Sequence, residues 1–129
     1  HNADDAAEVA RGVEAAGRRA AMLRLDVARV DTFAAFAEAL AAALRDTFGR
    51  DTFDFLVNNA GSGVTAGFAE TTEAEFDRMV AEHFRGPFFL TQRLLPLVAD
   101  GGRVLNVSSG LTRLAFPGRA AYAASKGAL

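Results

Sequence analysis

The chain contains no cysteine and no tryptophan, and only two histidines, two methionines, one tyrosine and three prolines in 129 residues. Without cysteine there are no disulfides and no thiolate metal ligands, which fits a reducing compartment such as the cytoplasm. His1 and His83 are the only imidazoles, and no H-E-x-x-H or similar cluster surrounds either, so no metal site is expected. A formal net charge of -2 lacks the basic excess that nucleic acid or an anionic membrane surface selects. There is no run of eighteen apolar residues, and the opening HNADDAAEVA is acidic and polar, so neither a transmembrane helix nor a signal peptide is expected. An initiator methionine is also missing, and the sequence is expected to lie within a longer chain.

Half of the residues are apolar, enough for a buried core, and their spacing alternates between helical and strand-like stretches. Ala6, Val9, Ala10, Val13 and Ala16 recur every three or four positions, which predicts a helix over Ala3 to Ala16 with Gly17 as its stop. A strand is expected over Ala20 to Leu25, running into Asp26-Val27. Val30, Phe33, Phe36, Leu40, Leu44 and Phe48 then line one face of a helix that Gly49 closes. Phe53 to Val57 reads as a strand entering the tetrapeptide Asn58-Asn59-Ala60-Gly61. Thr72 and Glu75 form a capping-box signature for a long helix, expected to bend near Pro87 and end near Pro96. Val104, Leu105 and Val107 follow the Gly101-Gly102 turn signal as a strand buried on both faces, and AAYAASKGAL starts another helix. Alternating strands and helices without a linker or repeat imply one α/β domain built on a parallel sheet.

The chemistry-bearing residues fall at the predicted carboxyl ends of strands, where ligands bind in open α/β sheets. Ser108 and Ser109 end the last strand. Tyr122 and Lys126 stand four apart and share one helix face, and an ammonium beside a phenol favours the phenolate. Taken alone, such a pair is also met as a solvated lysine one turn from a half-buried tyrosine. Asn58 to Gly61 has small residues that let a ligand approach the backbone, or it is an ordinary strand-ending turn. Asp26 either accepts a bond from a ligand amine or leads into the helix at Val30. Gly61, Gly63 and Gly67 do not keep the G-x-G-x-x-G spacing and read as loop glycines. Ser109 lacks a G-x-S-x-G elbow, which argues against a hydrolase nucleophile.

Together, NNAG, a strand ending in Ser-Ser, a tyrosine thirteen residues after Ser109 and a lysine four later form a specific pattern. It resembles the short-chain dehydrogenase/reductase family, as do the stretches FDFLVNNAG, GPFFLTQRLLP and GRVLNVSS. The resemblance implies a Rossmann-type doubly wound, three-layer parallel sheet with NAD or NADP as cofactor. It implies hydride transfer to or from a small carbonyl or secondary alcohol, in a homodimer or homotetramer. By position, Tyr122 would be the general acid or base, Lys126 would favour its ionised form and hold the nicotinamide ribose, and Ser109 would stabilise the substrate oxygen. Asp26 and Val27 would contact the adenine end of the cofactor, and Asn59, Ala60 and Gly61 its adenosine ribose. His83 stands where the family usually carries an asparagine of a water-mediated proton relay. It is either an altered relay member or a helix residue with partners of its own. Residues 1–129 would be the central part of the domain, incomplete at both ends, with sheet edges unpaired and apolar faces uncovered. A non-catalytic dinucleotide-binding scaffold and a nucleotide-sugar epimerase or dehydratase are the alternatives on the same fold.

Overall fold

A computed structural model describes residues 3–129; His1 lies outside them. Helix α1, Ala3–Ala15, ends as its spacing predicts, with Gly17 in the left-handed conformation at φ 73°. The strand expected over Ala20 to Leu25 is not formed. A strand needs a second backbone to complete its ladder, and the sheet formed by the described residues consists of two strands that lie elsewhere. Leu25 still packs against the core at Phe33.

The apolar stripe from Val30 to Phe48 folds as a 3₁₀ turn over Val30–Thr32, helix α2 over Phe33–Ala43 and a π turn over Leu44–Phe48. Gly49, at φ 66°, closes it. Strands β1, Phe53–Asn58, and β2, Val98–Asn106, pair in parallel, with Leu56 beside Val104 and Asn58 beside Asn106. Between the Phe53–Val98 and Phe55–Arg103 pairs, β1 advances two residues while β2 advances five. The Gly101-Gly102 signal is therefore a bulge within β2, with Gly101 at φ 78°.

The helical segment between the strands begins with the predicted capping box. The Thr72 hydroxyl accepts from the Glu75 N–H at 3.2 Å, and the Glu75 carboxylate accepts from the Thr72 N–H at 2.9 Å. The segment is not one regular helix bent at Pro87. It comprises α3, Glu73–Val80, a π turn over Ala81–Arg85, α4, Gly86–Leu94, and a 3₁₀ turn over Leu95–Leu97 that holds Pro96. Pro87 has no N–H to give, and the ladder widens in the turn before it, where the Gly86 N–H reaches back to the Ala81 carbonyl. Gly86 must lack a side chain because the Val27 carbonyl occupies the space of a Cβ.

Phe33, Leu90 and Leu94 bury α2 and α4 against Phe53 and Leu56 of β1. A second cluster of Val64, Met79 and Ala121 joins α3 to α5, the helix Ala120–Ala128. Helices α2 and α4 cover one sheet face, the side of Leu56. On the other, Phe55, Val57 and Leu105 are 70%, 54% and 59% exposed. The expectation that β2 is buried on both faces is corrected accordingly: nothing among the described residues covers the second face.

Candidate active site

β1 and β2 end side by side. Asn58 donates from Nδ2 to Asn106 Oδ1 at 2.8 Å and to Thr91 Oγ1 at 3.1 Å, and the Val107 N–H reaches the Asn58 carbonyl at 3.0 Å. Beyond these ends opens a cavity of about 820 Å³. Ser109, Tyr122, Lys126 and His83 all line it, as do Asn59 and Gly61. The side chains singled out by spacing are thus gathered at one place, although Ser109 and Lys126 are seventeen positions apart and His83 lies on another element.

The two serines differ in use. Ser108 donates its hydroxyl to the Lys126 carbonyl at 3.3 Å, tying β2 to α5. Ser109 accepts the Leu111 N–H at 3.2 Å at the start of a short 3₁₀ turn, Gly110–Thr112. Its oxygen is engaged while its O–H stays available to donate.

Helix α5 is built from alanine, and Ala121 and Ser125 face inward with Lys126. Lys126 is 6% exposed and donates to the Val107 carbonyl at 2.8 Å; its ammonium stands 5.9 Å from the centre of the Tyr122 ring. Burial lowers the Lys126 pKa from its ordinary value.

His83 sits in the π turn and is 2% exposed. Its Nε2 lies 2.6 Å from the Ser62 carbonyl, which can only accept, so Nε2 carries the proton. Nδ1 is then an acceptor, buried and without a hydrogen-bond partner. The ring meets Tyr122 edge-on, centroids 5.2 Å apart and planes at 81°. Burial pushes the imidazole pKa down, more than the Ser62 carbonyl raises it. Gly61 packs on this ring so closely that any Cβ there would collide with it. His83 thus has a partner at Nε2 and a ring contact to Tyr122, while Nδ1 is left without a partner within the site.

Spacing gave no sign of two further supports. Ser62 is held by the Glu82 carboxylate through its N–H at 2.9 Å and its hydroxyl at 2.6 Å. Arg119 lines the cavity and donates to the Val64 carbonyl at 3.2 Å. Both join residues 20 or more apart, with one partner in the loop after β1, where no periodicity signals contact.

A second cavity, about 330 Å³ and mainly apolar, adjoins the first at Asn59 and is also lined by Val27 and Ala60. Asp26 borders neither of these two and uses Oδ1 to accept the Ala28 N–H at 3.0 Å. Among the described residues no group of three His, Cys, Asp or Glu could hold a metal, and no helix is long and apolar enough to cross a membrane.

A parallel sheet that opens onto a cavity at its strand ends has the architecture in which open α/β folds bind their ligands. The sequence matches the short chain dehydrogenase family over residues 1–129. The landomycin C-6 ketoreductase LanV, solved with bound NADP and rabelomycin, is 43% identical with a TM-score of 0.92, covering 98% of this chain and 51% of that one. An uncharacterized oxidoreductase of Thermotoga maritima is 35% identical over 119 residues, 91% of this chain and 44% of the relative. A hydroxynaphthalene reductase of Aspergillus fumigatus is 32% identical over 129 residues, 100% of this chain and 45% of the relative. The chain spans about half the length of the relatives it matches. It belongs to the short-chain dehydrogenase family, NAD- or NADP-dependent oxidoreductases of Rossmann-type α/β fold.

Proposed function

We propose that this chain is the central part of one dinucleotide-binding domain, and that the complete protein reduces a carbonyl compound or oxidises the corresponding secondary alcohol. The observation that carries this reading is the single cavity walled by Ser109, Tyr122 and a buried Lys126 whose ammonium lies against the tyrosine ring.

In the reducing direction Tyr122 gives its hydroxyl proton to the carbonyl oxygen. Ser109 donates its free O–H to the same oxygen, where negative charge develops. Lys126 favours the phenolate left on Tyr122, because a neighbouring ammonium stabilises the charged form. Its burial keeps that cation close and poorly solvated. His83 holds the Tyr122 ring edge and the loop after β1 in mutual register, which is positioning rather than proton transfer.

The residues present fit a nicotinamide dinucleotide. Asn59, Ala60 and Gly61 border the two adjoining cavities with little side-chain bulk, and Val27 lines the apolar one. In this reading Asp26 and Val27 hold the adenine end, Asn59 to Gly61 the adenosine ribose, and Tyr122 with Lys126 the nicotinamide side. When bound, the dinucleotide supplies or accepts the hydride. The similarity to a C-6 ketoreductase solved with rabelomycin and to a hydroxynaphthalene reductase makes a ring-bearing ketone the first substrate class to try.

The test is carbonyl-dependent oxidation of NADH or NADPH by the complete protein, compared with Ser109→Ala. Loss of one donor to the developing charge is expected to lower kcat by about 10²- to 10³-fold. A Ser109→Ala enzyme with wild-type kcat rules out the assigned role.

A further inference from the structure

Arg119 has no place in the chemistry above, yet it forms part of the wall around it. It lies three residues before Tyr122 and lines the same cavity as Ser109, Tyr122 and Lys126. Two contacts fix its position. The Ala66 N–H donates to the Gly118 carbonyl at 3.1 Å, zipping the loop after β1 to the loop before α5. One guanidinium nitrogen then donates to the Val64 carbonyl at 3.2 Å. Gly118, at φ 73°, makes the turn that delivers it.

No carboxylate among the described residues pairs with this guanidinium, whereas Arg29 and Arg50 are paired with Asp31 and Asp54. Nor does any Asp or Glu line the cavity. Glu82, the acid on the adjoining helix turn, is held by Ser62. Leu111, Phe116 and Pro117 bring apolar surface to the same cavity, beside Ser62 and Thr65. A guanidinium has five N–H donors in a planar fork, and the Val64 carbonyl occupies one nitrogen. The rest suits two oxygens sharing a negative charge. The cavity therefore offers apolar surface, a fixed cation and no opposing acid.

We propose that Arg119 is a specificity residue that pairs with an anionic oxygen of the substrate, so that the preferred substrate is a largely apolar carbonyl compound bearing a carboxylate or another ionised oxygen. This rests on the function proposed above and names the substrate class for that same cavity.

The test uses the complete protein with its bound cofactor and two probes of matched shape, benzoate and benzamide. Calorimetry should show benzoate binding about tenfold to a hundredfold more tightly than benzamide, the range for hydrogen bonds to a charged group. Arg119→Gln should abolish that preference while leaving benzamide binding within a fewfold, and Arg119→Lys should restore part of it. Because Lys126 is a second cation in the cavity, Arg119→Gln is the arm that separates the two.

Equal binding of the two probes by the wild type overturns the proposal with no variant needed. A preference that survives in Arg119→Gln assigns the anion to Lys126 and also overturns it, as does a variant that weakens cofactor binding instead. Turnover of 4-formylbenzoate methyl ester by the wild type, lost in Tyr122→Phe, reports separately on the function. That activity can stand while the Arg119 assignment fails.

Discussion

Tyr122 carries its hydroxyl on a ring held from two directions, the edge of His83 on one side and the Lys126 ammonium on another. The tyrosine and its lysine were legible because helical spacing alone places them on one face, and Ser109 because it ends a β-branched run. The surroundings of His83 were not legible: nothing in AEHFRGPFF reports that the ladder widens there or that the Ser62 carbonyl accepts a hydrogen bond from the ring. Folding holds the imidazole neutral below its ordinary ionisation range, so as pH falls through about 6.5 the unfolded chain binds more protons than the native one. Stability is full above that value and declines as pH drops toward the depressed folded value. Lys126 acts in the same sense at the alkaline end, since its pKa is also lowered by burial. Thermal melts of the complete protein between pH 7 and 5 should show this decline, and His83→Gln should flatten it. An unchanged slope in His83→Gln contradicts a buried neutral ring.

Among the elements, the helical stretches began and ended at their signals, at Gly17, Gly49 and Thr72, because caps and apolar stripes are local, whereas the π and 3₁₀ turns inside them did not show. Thr72→Ala removes one half of the capping box and should cost about 1 kcal/mol. For a protein twice this length that is a drop of roughly 2–4 °C in Tm, measurable by calorimetry. The segment at Ala20 to Leu25 shows the opposite case. Its composition suits a strand, but strand formation is non-local, and no neighbouring backbone among the described residues completes its ladder. The π turn was equally hidden, since only the missing N–H of Pro87 hints at it. Gly61→Ala should displace the His83 ring and cost about 1–3 kcal/mol by overpacking. In the double variant Gly61→Ala with His83→Ala the two losses should fall short of their sum, because the collision is gone. Strict additivity shows that the close approach is unimportant.

For the molecule as a whole, the governing fact is a sheet with helices on one side and Phe55, Val57 and Leu105 largely exposed on the other. A contiguous apolar face of this kind calls for a cover. Residues 1–129 expressed alone should bind a hydrophobic dye, self-associate and melt without cooperativity. A sharp transition with monomeric dimensions contradicts that expectation. We also propose that the complete protein is a homodimer or homotetramer, with exposed Phe88 and Leu95 of the α4 region on the shared face. Light scattering that finds only monomer at micromolar concentration removes this proposal.

The alternation of strands and helices made the α/β class legible, and the resemblance of the joint pattern to a known family made the reaction class legible. The place of Arg119 in the cavity wall was not, because its bond to the Val64 carbonyl joins residues 55 apart, which spacing does not encode. The most direct test of the account is Tyr122→Phe in the complete protein, which keeps the ring between His83 and Lys126 and removes only the proton. Turnover of NADH or NADPH with a carbonyl substrate should fall by about 10²- to 10⁴-fold while cofactor affinity stays within a fewfold. Turnover within a fewfold of wild type contradicts the assignment of Tyr122 as the general acid.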